Sequence, residues 1–276
     1  MGELRIAHAE PTVAGYVARM TSGPVIETDL TFDTVTELRS LADRFIELVT
    51  DGDRDASIQA CSSWTVADLA LHVGDAWRFW AHIVRDNVTD RGALRDITSF
   101  APSAPDQLTD GLQRELDALL EALTSSDMES TVWTWTGANR PIAWVARRLL
   151  HETGVHLHDA ATALRQPFDI SPAVAADGID EFLTWFAATE RGDGELKVGG
   201  TVHLHCTDTE PGQGEWFVSA MKEPAATFTR EHRKGDAAIR GTALDLLLWL
   251  WRRTADVEVI GDKVVARRFR AFTLLD

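Results

Sequence analysis

Arg147-Arg148-Leu149-Leu150-His151-Glu152-Thr153-Gly154-Val155-His156-Leu157-His158-Asp159-Ala160 is the stretch on which the fold turns. Its apolar positions continue the spacing of Ile142 and Val145 through Leu149 to Ala160 and Leu164. This predicts a helix from Pro141, acceptable at a helix start, to about residue 165. On that helix Glu152 and His156 lie four apart, roughly 40° round the axis, so both can grip one ion. A second helical segment upstream carries a lone histidine, His72, on its apolar stripe. With His72 the donors become two His and one Glu, which leaves a coordination position open, as in catalytic rather than structural zinc sites.

His151 gives the stretch a passing likeness to zincin metalloproteases. It lies five residues from His156, about 140° round the helix, so the two cannot face the same ion. A lone imidazole on an apolar helix is ordinarily a hydrogen-bonded core residue. A carboxylate on an inward bundle face is costly unless paired, however, so Glu152 turns the set of three towards a metal. His151 and His158 project elsewhere and are expected at the surface or a pocket rim. Asp159, three after His156, and Asp75, three after His72, could each accept the free ring N–H of a ligating imidazole; a solvated helix-surface aspartate is the plain alternative.

The chain has 276 residues, 45% of them hydrophobic, enough for one large or two ordinary domains. A formal net charge of −16 and the lack of any Lys/Arg-rich run argue against nucleic acid and anionic membrane as partners. The longest strongly apolar run, Leu246-Leu247-Leu248-Trp249-Leu250-Trp251, is far short of the ~20 residues that span a bilayer. The N-terminus shows neither a secretory signal nor a myristoylation motif, and Cys61 and Cys206 form no C-x-x-C pair. A cytoplasmic protein acting on a small molecule is expected, as monomer or homodimer, with both thiols inert.

Periodicity changes near residue 190. Before it, helices are expected at about 33–50, from the Ser62–Asp68 cap region to about 88, at about 106–124 and at about 141–165. A fifth, at about 172–190, carries Ile179, Phe182, Leu183 and Phe186 and would lead out of the bundle. Residues 91–105 and 131–140 are expected to be connectors. Four helices with a polar constellation facing inward describe a bundle-core metal site. After residue 190, Thr201–Cys206, Glu215–Val218 and Ala225–Thr229 alternate as antiparallel strands with a Pro211–Gly214 turn, followed by helix 241–253, strand 257–260 and helix 262–269. The expected division is thus an unassigned extension (1–30), a helical bundle (31–190) and a small α+β domain (191–276), an α+β protein overall. His203 and His205 share one strand face, but without a third ligand nearby they read as an ordinary exposed pair. The ten Trp, among them Trp77, Trp80, Trp133, Trp135, Trp144, Trp249 and Trp251, are expected to fill the cores and the domain junction.

Three segments resemble one known family: Trp64-Thr65-Val66-Ala67-Asp68-Leu69-Ala70-Leu71-His72-Val73, His151 to Ala160, and Arg240 to Arg253. Together they are similar to the mycothiol-dependent maleylpyruvate isomerases. The resemblance implies a DinB-like four-helix bundle binding a divalent metal, usually zinc, followed by a small sterol-carrier-like α/β domain. It implies His72, Glu152 and His156 as metal ligands and an arginine from the second domain near the active site, best matched by Arg253, with Arg240 or Arg252 as alternatives. Residues 1–30 have no counterpart, and His158 stands where an arginine is expected.

The chemistry implied is thiol activation, with mycothiol held as a thiolate at neutral pH. In an isomerase the thiolate adds to a conjugated cis double bond, the resulting single bond rotates, and loss of the thiol leaves the trans isomer; in a transferase the adduct is released. An arginine would pair with the substrate carboxylate. Two other classes fit the same donors: a thiol-independent metal hydrolase, isomerase or cyclase, and a non-catalytic binding protein on the same scaffold.

Overall fold

In the computed structural model, residues 30–61, 63–187, 198–210, 212–220 and 226–272 are described. The N-terminal extension expected at 1–30, Ser62 at the second cap, the end of the fifth helix beyond 187, Pro211 of the turn and Ala225 of the third strand therefore fall outside them, apart from Leu30.

Four helices build the bundle. α1 (Thr34–Asp51) starts where Asp33 accepts from the Thr36 backbone N–H, and it buries Leu38, Leu41, Phe45, Ile46 and Val49. α2 (Val66–Arg85) opens on a reciprocal capping box between Thr65 and Asp68. α3 (Leu108–Ser125) buries Leu112, Leu116, Leu119, Leu120 and Leu123. A two-stranded ribbon, β1 (Thr131–Val132) with β2 (Arg140–Pro141), leads into α4 (Ile142–Leu164). α1 packs chiefly on α4 and α2 on α3, with α2 also against α4, so the inward faces of α2 and α4 meet. The connector before α3 contains two 3-10 turns, at Arg91–Asp96 and Pro105–Gln107. It is fastened by Phe100, whose N–H donates to Asp75 and whose ring lies against Gly74 of α2 and Gly111 of α3.

α5 (Pro172–Phe182) ends earlier than its periodicity suggests and passes into a single π-helical turn, Leu183–Ala187. Its buried Ala175, Ile179 and Phe182 join the core of the second domain. The boundary expected near residue 190 puts this helix, which would lead out of the bundle, on the bundle's side; its packing puts it with the sheet. Helical spacing shows that a helix has an apolar face, but not which neighbour covers it.

That sheet has the order β5-β4-β3-β6-β7. β3 (Gly200–Cys206), β4 (Glu215–Ala220) and β5 (Thr227–Thr229) form the expected antiparallel run. β6 (Ala237–Gly241), absent from the sequence reading, lies parallel to β3 and antiparallel to β7 (Glu258–Gly261). Its Ala-Ala-Ile-Arg-Gly sequence is too short and too weakly β-forming to be visible locally. α6 (Ala243–Leu250) and α7 (Lys263–Phe272) supply Leu246, Leu247, Ala266 and Phe269 to the core that also receives Val202, Leu204 and Val218. The fold is α+β, as expected.

Candidate metal centre

α2 and α4 bring His72, Glu152 and His156 together: one donor atom from each lies within 4.8 Å of the others. His72 Nε2 is 3.7 Å from Glu152 Oε1, and the two imidazole centroids are 5.0 Å apart in an edge-on arrangement. The i,i+4 placement on α4 and the inward stripe of α2 thus give the geometry read from sequence. The other Glu152 oxygen faces Arg148 Nε at 3.5 Å. Burial pushes the Glu152 carboxyl up, yet Arg148, His72 and His156 outweigh it, so the group is held below its ordinary range as a carboxylate. Arg148 was missed in the sequence, although its i,i+4 spacing to Glu152 was legible there.

Behind His156 stands Asp159. Its Oδ2 lies 3.3 Å from His156 Nδ1, which leaves Nε2 as the ring nitrogen open to a metal. Arg253 then clamps Asp159 with two hydrogen bonds, Nε to Oδ1 at 3.0 Å and Nη2 to Oδ2 at 2.6 Å, while Nη1 donates to the Trp251 carbonyl at 2.8 Å. Burial raises the Asp159 carboxyl, but His156 and Arg253 overcome it and hold the group low. Arg253 therefore does reach the centre, by way of Asp159; its fork is engaged by that carboxylate rather than turned towards a substrate. The alternatives lie elsewhere: Arg240 pairs with Glu258 across β6 and β7, and Arg252 donates to the Arg270 and Ala271 carbonyls.

Other expectations need correcting. Asp75 Oδ1 accepts from the Phe100 N–H at 2.7 Å, which ties α2 to the connector before α3. His151 is not a surface or rim residue: it is buried between α4 and α5, with Nε2 2.7 Å from Asp177 Oδ2. His203 and His205 are not an ordinary exposed pair, since folding brings Glu215 and His232 beside them. Burial pushes the Cys61 thiol up, helped by Asp159, and takes Cys206 to about 12, so neither is a ready nucleophile.

A cleft of about 1020 Å³ opens from His72 along α2 and is bounded by Phe79, Trp80, Arg91, Arg95 and Trp133. Trp64 packs on the His72 ring at 5.0 Å. Two imidazoles and one carboxylate, with His72 facing the cleft, fit a borderline divalent cation and leave a coordination position for an exogenous ligand.

The sequence profile of the mycothiol maleylpyruvate isomerase N-terminal domain matches residues 35–161, and that of the family's C-terminal domain matches residues 173–268. The chain belongs to the mycothiol-dependent maleylpyruvate isomerase family. The second profile begins within α5, in keeping with that helix packing on the sheet. Two solved structures share the fold: a mycothiol-dependent maleylpyruvate isomerase, with TM-score 0.56, and a mutant of such an isomerase, with TM-score 0.57. Each is 15% identical to this chain, covering 82% of it and 91% of the solved chain. No curated protein matches the sequence. Among the described residues no helix is long and apolar enough to cross a membrane.

Proposed function

We propose that this member of the family is a metal-dependent enzyme that uses mycothiol for cis–trans isomerisation or S-transfer on a small electrophilic acid such as maleylpyruvate. The observation that carries the reading is the convergence of His72, Glu152 and His156 donors within 4.8 Å, with His72 also on the wall of a cleft. When bound there, a zinc-class ion would supply Lewis acidity, keeping a thiol in its thiolate form at neutral pH.

The chain's own residues hold and orient. His72, Glu152 and His156 form the ligand set, and Arg148 engages the second Glu152 oxygen, favouring attachment through the first. Asp159 accepts from His156 Nδ1–H, fixing the tautomer that exposes Nε2. Arg253 acts through Asp159 as a positioning residue, contributed by the second domain to a site in the first. Arg91 and Arg95 share the cleft wall with Asp75 and Asp90 and would be the groups to meet a substrate carboxylate, while Phe79, Trp80 and Trp133 supply apolar walls.

Purified protein loaded with zinc is expected to lose the ion of the helical site and thiol-dependent turnover together on His156→Ala. Full zinc binding by the variant at the helical site would end the proposal. In cobalt-substituted protein, mycothiol should alter the visible spectrum; an unchanged spectrum would favour thiol-independent chemistry on the same scaffold.

A further inference from the structure

We propose that the C-terminal sheet carries a second divalent-metal site, formed by His203 and His205 of β3, Glu215 of β4 and His232 of the β5–β6 connector, which takes a zinc-class transition-metal ion. The site follows from the topology. Alternation along β3 turns Val202, Leu204 and Cys206 into the core and His203 and His205 to the opposite face. Antiparallel register sets Glu215 directly across from His205, so its carboxylate shares that face.

The fourth residue arrives because β5 and β6 lie at opposite sides of the β4-β3 pair and their connector must cross it. The crossing is anchored on both sides of His232: Arg230 pairs with Asp180, and the Arg233 guanidinium stacks 4.2 Å from the Phe217 ring centroid. It ends where Asp236 accepts from the Thr201 N–H and hydroxyl. His232 is thereby laid over the strand pair that carries the other three residues.

Donor atoms of all four residues lie within 4.8 Å of one another. Glu215 Oε2 is 3.2 Å from His203 Nε2 and 2.5 Å from His232 Nδ1, and Oε1 is 3.1 Å from His205 Nδ1. Tetrahedral zinc with bonds of about 2.0–2.1 Å sets its donors roughly 3.3 Å apart, so modest side-chain rotation suffices. Hydrogen bonding alone leaves the cluster unsatisfied. His205 Nδ1 is buried without a hydrogen-bond partner among the described residues, because its alignment on Glu215 is wrong for one.

Three imidazoles and one carboxylate suit zinc, nickel or copper rather than calcium or magnesium. Four protein ligands fill a tetrahedral shell, in contrast to the three on α2 and α4. The ion here fastens the connector to β3 and β4.

The test is metal content by elemental analysis of the full-length chain, zinc-loaded and desalted. Wild type is expected to hold about two zinc ions and His72→Ala/His156→Ala about one. Adding His205→Ala/His232→Ala to that double variant should remove the remainder. His232 is 75% exposed, so His232→Ala alone does not disturb the core, and it should weaken this ion by at least about tenfold. No zinc in the His72→Ala/His156→Ala protein, or unchanged affinity on His232→Ala, overturns the proposal. Retention of all zinc in His72→Ala/His156→Ala with complete loss in His205→Ala/His232→Ala would instead remove the helical site and leave this one standing.

Discussion

Asp159 is the residue through which two domains act on one imidazole. Its carboxylate takes two hydrogen bonds from Arg253 and faces His156 Nδ1, so replacing it changes both the imidazole's tautomer preference and the arginine's anchor. Asp159→Asn is expected to weaken zinc at the helical site by about ten- to a hundredfold while leaving the ligands in place. Arg253→Gln should do so less strongly, with competition against a metallochromic chelator as the readout for both; equal affinity in Asp159→Asn and wild type would show that the contact is idle. The i+3 spacing announced Asp159, and it announced Asp75 equally. Each is also held by a group far along the chain, Asp159 by the Arg253 side chain and Asp75 by the backbone N–H of Phe100, twenty-five positions away. Sequence spacing places a carboxylate near an imidazole but cannot show what else competes for it.

At the scale of elements, α2 and α4 were legible almost to the residue because each couples an apolar stripe to a clear start, Thr65 with Asp68 in one and Pro141 in the other. Thr65→Ala removes the N-cap acceptor and is expected to cost about 1 kcal/mol, measured by urea unfolding. The seam between α2 and α3 is less forgiving. A Cβ at Gly74 would come within 2.5 Å of the Phe100 ring, and one at Gly111 of the other helix within 2.8 Å of the same ring, so the ring has no easy retreat. Gly74→Ala should therefore destabilise by about 1–3 kcal/mol despite the better helix propensity of alanine, as the shift in denaturation midpoint will report. A stabilised variant would mean that Phe100 is not fixed there. β6 and the early end of α5 escaped the sequence reading for a related reason. Both owe their form to what they pack on: β6 to β3 and β7, α5 to the core of the sheet domain.

Across the whole molecule, α5 is fastened to the bundle by buried charge. Asp177 receives Arg147 at 2.8 Å and His151 at 2.7 Å, and Arg148 meets Glu181 at 2.6 Å. Burial alone would raise the Asp177 carboxyl, but His151 and Arg147 bring it from 3.8 to about 2. Because the folded value is the lower one, this group's contribution is complete above about pH 4, fades as pH falls towards about 2 and is absent below it. The contribution amounts to about 2 kcal/mol. Asp177→Asn should remove much of the loss of stability over that window in acid titrations, though it also leaves Arg147 and His151 without their partner and lowers stability at neutral pH by about 3 kcal/mol. Parallel pH profiles for wild type and variant between pH 2 and 4 would show that this contact plays no part.

The amino-acid sequence by itself determined the helical bundle, the α+β class and the helix faces on which His72, Glu152 and His156 come together. All depend on local periodicities of 3.6 and 2 and on caps written within a few residues. Tertiary structure alone decided that α5 belongs with the sheet, that Arg253 reaches His156 by way of Asp159, and that His203 and His205 meet Glu215 and His232. Each of those joins positions far apart along the chain, and their meeting depends on which strand is crossed and which face is covered, which no local spacing records.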